Sequence, residues 1–400
     1  MIASDGGSDR ALTAAVRRAL SDLDDAMFDL WNLGENIILA WARQPLELRL
    51  LVVHHFAITD STLAKSERKS ADEAITQVLA GPKGVSQEEI ERISRLFGSA
   101  SRLVSVSFKL GDEIDSEMIN RLVARYGVSL VRERAVVLLD AVGFSLRSPL
   151  EQVAMLNSLT HSVNSAYRQL QSKDIQINFA RTTTGDGFYI WSQARTTEAN
   201  IALYKLMMLI LADNAVVQRK MPGFPVPKLR AAFHVSEHYE FYQMDALNPT
   251  AFGYIVGRVT IELARMVENA LPGQIILGEF DVDLTDRQTG NTVRYNTLDF
   301  VDKTADELQQ LKGLVIAGDS IDGFSCYVTG ERQANGEFQT NSIPIRDKHG
   351  ATRSVYNAKI NIHLLQAEPI FLGIQHKDLK LHPAEKKAIE SPQLTRPLKS

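Results

Sequence analysis

The pattern of apolar and polar positions changes character near residue 134. Over 10–58 and 84–126, apolar side chains recur at helical spacing, as at Leu20, Leu23, Met27, Leu30 and Trp31, and again at Ile90, Ile93, Leu96 and Phe97. This periodicity predicts an all-helical region over 1–128. A break falls at Ala80-Gly81-Pro82-Lys83-Gly84. Beyond it Ser86 is placed to cap a second helical block, with Glu89 three residues on for a capping box. Such a region serves as a packing module, a regulatory domain or a dimerisation platform, and packing is the simplest of the three.

After residue 134 the texture is mixed. Ala135-Val136-Val137-Leu138-Leu139-Asp140 is a continuous apolar run with β-branched content, which predicts a strand buried on both faces and ending in an acid. A helix follows over 149–171, with Ser148 as N-cap and Pro149 in the first position. Ile175-Gln176-Ile177-Asn178-Phe179-Ala180 alternates as a strand, and Gly185-Asp186-Gly187 turns it back into Phe188-Tyr189-Ile190-Trp191. Further helices are predicted over 197–217 and 252–269, and further strands over 229–235 and 274–277. The order strand, helix, hairpin, helix, strand is the split βαβ, or ferredoxin-like, arrangement: an α+β fold in which helices cover one face of an antiparallel sheet. This domain is expected over 129–370, with C-terminal strand additions. A flexible tail is expected over 371–400, where Pro383, Pro392 and Pro397 lie among Lys, Glu and Ser.

Composition narrows the function. At 400 residues, with 44% apolar and 23% charged, the chain is globular rather than disordered. Lys plus Arg number 44 against 48 Asp plus Glu, and a net charge of −4 leaves no global field for nucleic acid or anionic membrane. Cys326 is the single cysteine, which excludes an internal disulfide. No apolar leader follows the first residues, and apolar runs such as 206–212 fall far short of the roughly twenty residues of a membrane span. A cytoplasmic protein that binds neither nucleic acid nor membrane is expected.

The candidate chemistry lies on the mixed region. Asp140 closes a buried strand and Asp186 sits at the tip of the next hairpin, and the expected topology makes those strands neighbours. Each acid alone is explained as a turn residue. Converging, the two suit a divalent cation working on phosphate, where hard oxygen ligands hold Mg²⁺ and phosphate and water complete its shell. The small-residue turn Ala141-Val142-Gly143-Phe144-Ser145 follows directly, and its backbone N–H groups are placed to cradle a phosphate chain.

These segments resemble the class III nucleotidyl cyclases. Val137-Leu138-Leu139-Asp140-Ala141-Val142-Gly143-Phe144-Ser145 resembles their strand-and-loop signature, and Thr184-Gly185-Asp186-Gly187-Phe188 their second metal-acid hairpin. The run Lys228 to Val235 resembles the strand bearing a phosphate-binding arginine, here Arg230. The run Gly257 to Met266, closed by Pro272-Gly273-Gln274-Ile275, resembles the helix with a transition-state arginine, here Arg265. Lys312 falls where the family has another phosphate-binding lysine. The resemblance covers roughly 130–330. It implies a lyase that joins a nucleotide's ribose 3′-hydroxyl to its own α-phosphorus with loss of pyrophosphate. Asp140, Asp186 and Ala141 would hold two Mg²⁺ or Mn²⁺ ions, and Val142, Gly143, Phe144, Ser145, Arg230 and Lys312 would bind phosphates. Arg265 would be supplied across a head-to-tail homodimer with composite sites.

Departures from the pattern refine it. Thr182 and Tyr254 occupy the positions of the lysine and aspartate that read adenine in adenylate-forming members, and the Glu and Cys usual in guanylate-forming members are absent too. A tyrosine in place of a small acid shrinks the base pocket and favours a pyrimidine. This resembles the Pycsar pyrimidine cyclases of bacterial anti-phage defence. It implies cyclic UMP or cyclic CMP as product, with UTP favoured over CTP, and a separate cyclic-nucleotide-sensing effector. Ile261 replaces the family's ribose-orienting asparagine, so Thr260, Glu262 or Arg258 would have to substitute for it. His234 reads as a core residue. The alternatives are a purine cyclase with an atypical pocket, a degenerate nucleotide-binding module, and a palm-type polymerase or diguanylate cyclase. The last lacks its two-glycine acidic hairpin here.

Overall fold

The first third is not all-helical. In the computed structural model, which describes residues 13–44, 46–59, 65–106, 114–245, 248–316, 318–333, 338–346 and 352–379, it holds a four-stranded sheet clad by helices. The chain runs α1 (Ala14–Trp31), β1 (Asn36–Arg43), β2 (Glu47–His54), α2 (Lys65–Ala80), β3 (Gly84–Val85), α3 (Gln87–Leu96), β4 (Ser101–Ser105) and α4 (Ser116–Arg125). The sheet order is β3-β1-β2-β4. The apolar run over 37–42 is buried on both faces. One face packs Ile38 and Trp41 with Leu23, Met27, Ile119 and Val123 of α1 and α4; the other packs Leu39 and Ala42 with Val78, Leu79, Ile90 and Ile93 of α2 and α3. A strand sandwiched between helices is apolar throughout, so over so short a run it cannot be told from a buried helix by periodicity. The Ser86 cap is present, its Oγ accepting from the Glu89 N–H at 3.2 Å, but the Glu89 carboxylate takes Arg92 rather than closing a capping box.

The mixed region continues with β5 (Val128–Ala141), α5 (Pro149–Gln171), β6 (Phe179–Thr183), β7 (Gly187–Ser192), α6 (Thr197–Lys220), β8 (Leu229–Asp245), β9 (Asn248–Val256), α7 (Arg258–Asn269) and β10 (Ile275–Gly278). Beyond these lie β11 (Asp281–Thr285), β12 (Thr292–Asn296), α8 (Thr297–Glu307), β13 (Val315–Ile316), β14 (Asp319–Val328), β15 (Gly330–Arg332), β16 (Phe338–Thr340), β17 (Ile343–Arg346), β18 (Thr352–Leu364) and β19 (Ile370–Leu372). The main sheet has the order β13-β14-β18-β10-β8-β5-β7-β6, and its part β8-β5-β7-β6 is the ferredoxin-like order. The sheet is mixed rather than antiparallel throughout, because β10 runs parallel to β8.

Two compact units divide the chain: Met1–Arg132 with His238–Val256, and Glu133–Glu237 with Gly257–Ser400. In the second unit, Ala135, Val137 and Leu139 of β5, Ile190 of β7, and Ala231, Phe233 and Val235 of β8 share one face with α5, α6 and α8. α6 is the one described helix long and apolar enough to cross a membrane, and 83% of its apolar window is buried inside the protein. α5 begins as its sequence predicts, with Ser148 as N-cap and Pro149 in the first position, and the structure adds Glu151, which closes a capping box with Ser148.

Three expectations shift. The strand before the hairpin starts at Phe179 rather than at 175, and the segment over 252–256 is strand, paired to β8 with Tyr254 opposite Phe241, so the helix begins only at Arg258. Gly257, at φ 128°, separates the two. Helices also occupy both faces of the sheet. Side chains alternate along strands, so His234 and Tyr189 point away from the face that α6 covers, and both reach α7: His234 meets Glu262, and the Tyr189 hydroxyl donates to the Thr260 carbonyl at 3.0 Å. Of the expected tail, 371–379 carries the end of β19 and a short 3₁₀ turn, and the rest lies outside the described residues.

Candidate active site

β5 and β7 pair antiparallel with Asp140 opposite Gly187, which sets the end of the buried strand beside the hairpin tip. The Ala141 N–H donates to the Asp186 carbonyl at 3.0 Å, and the Val142 N–H to the Lys228 carbonyl at 2.8 Å. The turn is therefore stitched to both neighbouring strands. Those two amides are committed, so a phosphate cradle rests on the next three, Gly143, Phe144 and Ser145, with Gly143 at φ 68° opening the turn.

By strand alternation Asp140, Thr182, Tyr189, Arg230 and His234 share the face of the sheet on which α7 lies. Asp140 Oδ2 accepts from Arg230 Nε at 2.8 Å and from Nη2 at 2.5 Å. Burial pushes the Asp140 carboxyl above the usual range; Arg230 opposes that, and the neighbouring Asp186 carboxylate reinforces it. The two acids therefore converge closely enough to feel each other. Asp186 is steadied at its tip by the Thr184 hydroxyl, which donates to Oδ1 at 3.1 Å.

Among the described residues no group of three or more His, Cys, Asp or Glu forms a metal cage. The site instead offers two carboxylates whose mutual repulsion a cation relieves, next to a backbone turn. That donor set fits Mg²⁺ or Mn²⁺ when phosphate and water supply the remaining ligands, and would suit zinc poorly.

Other expected residues are engaged elsewhere. Arg265 Nη1 on α7 donates to Glu268 Oε2 at 2.6 Å, while its Nε is buried and has no hydrogen-bond partner among the described residues. Lys312 Nζ pairs with Asp322 Oδ1 at 2.9 Å, and the Lys312 carbonyl accepts from Lys173 Nζ. Thr182 is the cross-strand partner of Tyr189, whose hydroxyl burial raises to about 12. Tyr254 belongs to the first unit and stacks on Phe241 with ring centroids 5.8 Å apart. Ile261 is 53% exposed. Of its possible polar substitutes, Thr260 Oγ1 donates back to the Gly257 carbonyl at 2.9 Å, and Glu262 is buried among cations.

Sequence reasoning did not find that cluster. Glu262 Oε2 lies 2.8 Å from His234 Nε2, Arg258 Nε donates to Oε1 at 3.0 Å, and Arg353 Nη1 of β18 also donates to Oε1. A glutamate on the buried stripe of an amphipathic helix, with Val259, Leu263 and Met266, was the signal available.

No protein-family model matches this chain, and no curated protein matches its sequence. Its structure is similar to the guanylate cyclase domain of RhGC from Catenaria anguillulae in complex with GTP, at 12% identity and TM-score 0.34 over 59% of this chain and 98% of that one. It is also similar to the adenylyl cyclase CyaB from P. aeruginosa, at 12% identity and TM-score 0.33 over 60% and 97%, and to a bacterial light-regulated adenylyl cyclase, at 14% identity and TM-score 0.32 over 63% and 72%. At these scores the likeness carries neither fold nor chemistry, which rest on the strand order and the side chains themselves.

Proposed function

We propose that this chain is a class III nucleotidyl cyclase that converts a pyrimidine nucleoside triphosphate, UTP before CTP, to its 3′,5′-cyclic monophosphate and pyrophosphate. The observation that carries the reading is the meeting of Asp140 and Asp186 at one strand end, beside a phosphate-sized turn and Arg230. Asp140 and Asp186 hold the cations, with Ala141 beside them. Bound there, Mg²⁺ or Mn²⁺ supplies the charge that acidifies the ribose 3′-hydroxyl and neutralises the departing pyrophosphate. The amides of Gly143, Phe144 and Ser145 orient the phosphate chain, and Arg230 and Lys312 grip it. Arg265, from a second copy of the chain, stabilises charge growing on the α-phosphoryl oxygens.

Arg230 has two tasks on this reading. In the structure it is the counter-ion of Asp140, so a cation held by Asp140 would compete with it, and the guanidinium would then be available to the polyphosphate. Metal and nucleotide should therefore favour each other's binding. Arg230→Gln is expected to tighten Mn²⁺ binding to the nucleotide-free protein about tenfold and to weaken triphosphate binding by about as much. Electron paramagnetic resonance of free Mn²⁺ checks the first, and weaker Mn²⁺ binding by the variant would contradict it.

The pyrimidine preference rests on residue type: Thr182 and Tyr254 carry hydroxyls that both donate and accept, and the tyrosine ring fills space a purine needs. The product would act as a second messenger in anti-phage defence, read by a separate effector. A second reading, a nucleotide-binding module without turnover, is favoured by one observation, the exposed Ile261 where a ribose-orienting asparagine is expected. Incubation of the protein with ATP, GTP, CTP and UTP in turn, with Mn²⁺, and mass identification of the product tests both. Cyclic UMP first and cyclic CMP second is the expected order. Cyclic AMP alone would refute the pocket argument, and no product from any nucleotide would favour the binding module.

A further inference from the structure

A single buried carboxylate ties α7 to the sheet. Glu262 is 5% exposed, and it receives His234 from β8, Arg353 from β18 and Arg258 from its own helix. Burial works against its charge, yet His234 and Arg258 hold its carboxyl down to about 2, so it is ionised at any working pH. Glu237 is a further charged group acting on Arg258. The His234 ring is itself wedged in place, since a Cβ on Gly278 of β10 would collide with it. Two residues earlier, the Thr260 carbonyl takes the Tyr189 hydroxyl of β7, a second tie along the same helix.

Burial alone does not require this arrangement. Val259, Leu263 and Met266 already give α7 an apolar stripe, and a leucine in place of Glu262 would bury without desolvating a charge. What the ionised carboxylate adds is direction: its bonds come from two strands, and so they fix both the rotation and the axial position of the helix. A slip of one residue turns a helix by about 100° and moves it about 1.5 Å. Arg265 lies three residues beyond Glu262 and would be carried with any such slip.

We propose that Glu262 is the positioning residue of α7, and that its bonds to His234 and Arg353 set the register in which the helix presents Arg265. This inference rests on the reading of the site as a nucleotidyl cyclase and adds the element that aims its arginine. Glu262 touches no substrate and acts through the helix.

Glu262→Gln and Arg353→Gln, made in the full chain, test it. Arg353→Gln leaves His234 and Arg258 on the carboxylate, and it keeps the test available if the first variant fails to fold. In a folded variant kcat is expected to fall at least about tenfold while KM for the triphosphate stays within about twofold. An unchanged kcat, or a raised KM at unchanged kcat, would overturn the proposal. Hydrogen exchange gives a readout that needs no turnover: the α7 amides should exchange at least about tenfold faster in either variant, with α5 unchanged. Equal protection of α7 would overturn the positioning role even if the protein makes no cyclic nucleotide. Fast exchange with no product from the wild type would leave the tie standing and refute the cyclase reading instead.

Discussion

Asp140→Asn should abolish turnover, lowering kcat by about a thousandfold or more, while the protein melts no lower than the wild type. The catalytic loss follows from removing one of two anionic ligands. The stability half follows from linkage. Burial and the neighbouring Asp186 push the Asp140 carboxyl above its usual range despite Arg230. A carboxyl with a raised folded pKa binds its proton more tightly in the native state, so wild-type stability falls as pH rises from the unfolded value through the folded one. Asparagine never ionises and removes that fall, and its amide oxygen still accepts from Arg230. The site thus holds a charge that the fold would shed, as expected where function sets the residue. Product assay and thermal denaturation above and below the carboxylate range measure the two halves. An active variant, or one much less stable at neutral pH, would contradict the account.

Gly187→Ala should be the most damaging single methyl group near the site, costing about 3 kcal/mol of stability and most of the activity. A Cβ at Gly187 would collide with the Leu139 carbonyl group of the paired strand and would lie 3.1 Å from the Cα of Asp140. The backbone cannot yield without parting β5 from β7 where the two acids meet. Gly185 is the control two residues away. A Cβ there meets nothing within 4 Å, although φ is +100°, so Gly185→Ala costs only conformational strain, roughly 1 kcal/mol. Urea denaturation of the two variants measures the order, and a Gly185 variant weaker than the Gly187 variant would contradict it.

The parts of the fold legible in the sequence are those with local signals. The apolar run ending in Asp140, the Gly-Asp-Gly hairpin and the Ser148-Pro149 helix start carry their structure within a few residues, and all three stand in the structure. The strand pair over 36–54 is not legible, because its apolar runs suit a buried helix equally well. The two pair with each other as a hairpin, and β3 and β4 flank them, but helices on both faces remove the polar alternation that would mark them as strands. The segment before Gly257 reads as the start of the helix in the sequence, because its register with β8 is not a local property. Amphipathicity shows that α7 has a buried stripe but not which face of the sheet receives it.

The candidate site divides in the same way. Both acids can be named from a strand end and a hairpin tip, and Arg230 from the resemblance of its strand to the cyclase pattern. Their mutual geometry could not: Arg230 lies 90 residues from the Asp140 it grips, and Arg353 lies 91 from Glu262. Charges on separate elements carry no sign in the sequence of which will meet, and burial decides it.

Crystals grown with Mn²⁺ and a non-hydrolysable pyrimidine triphosphate, measured at the manganese absorption edge, would test the shared cation site most directly. The account predicts anomalous density within ligand distance of both Asp140 and Asp186 and against the nucleotide phosphates. Manganese bound elsewhere, or held by one of the two acids without the other, would contradict it.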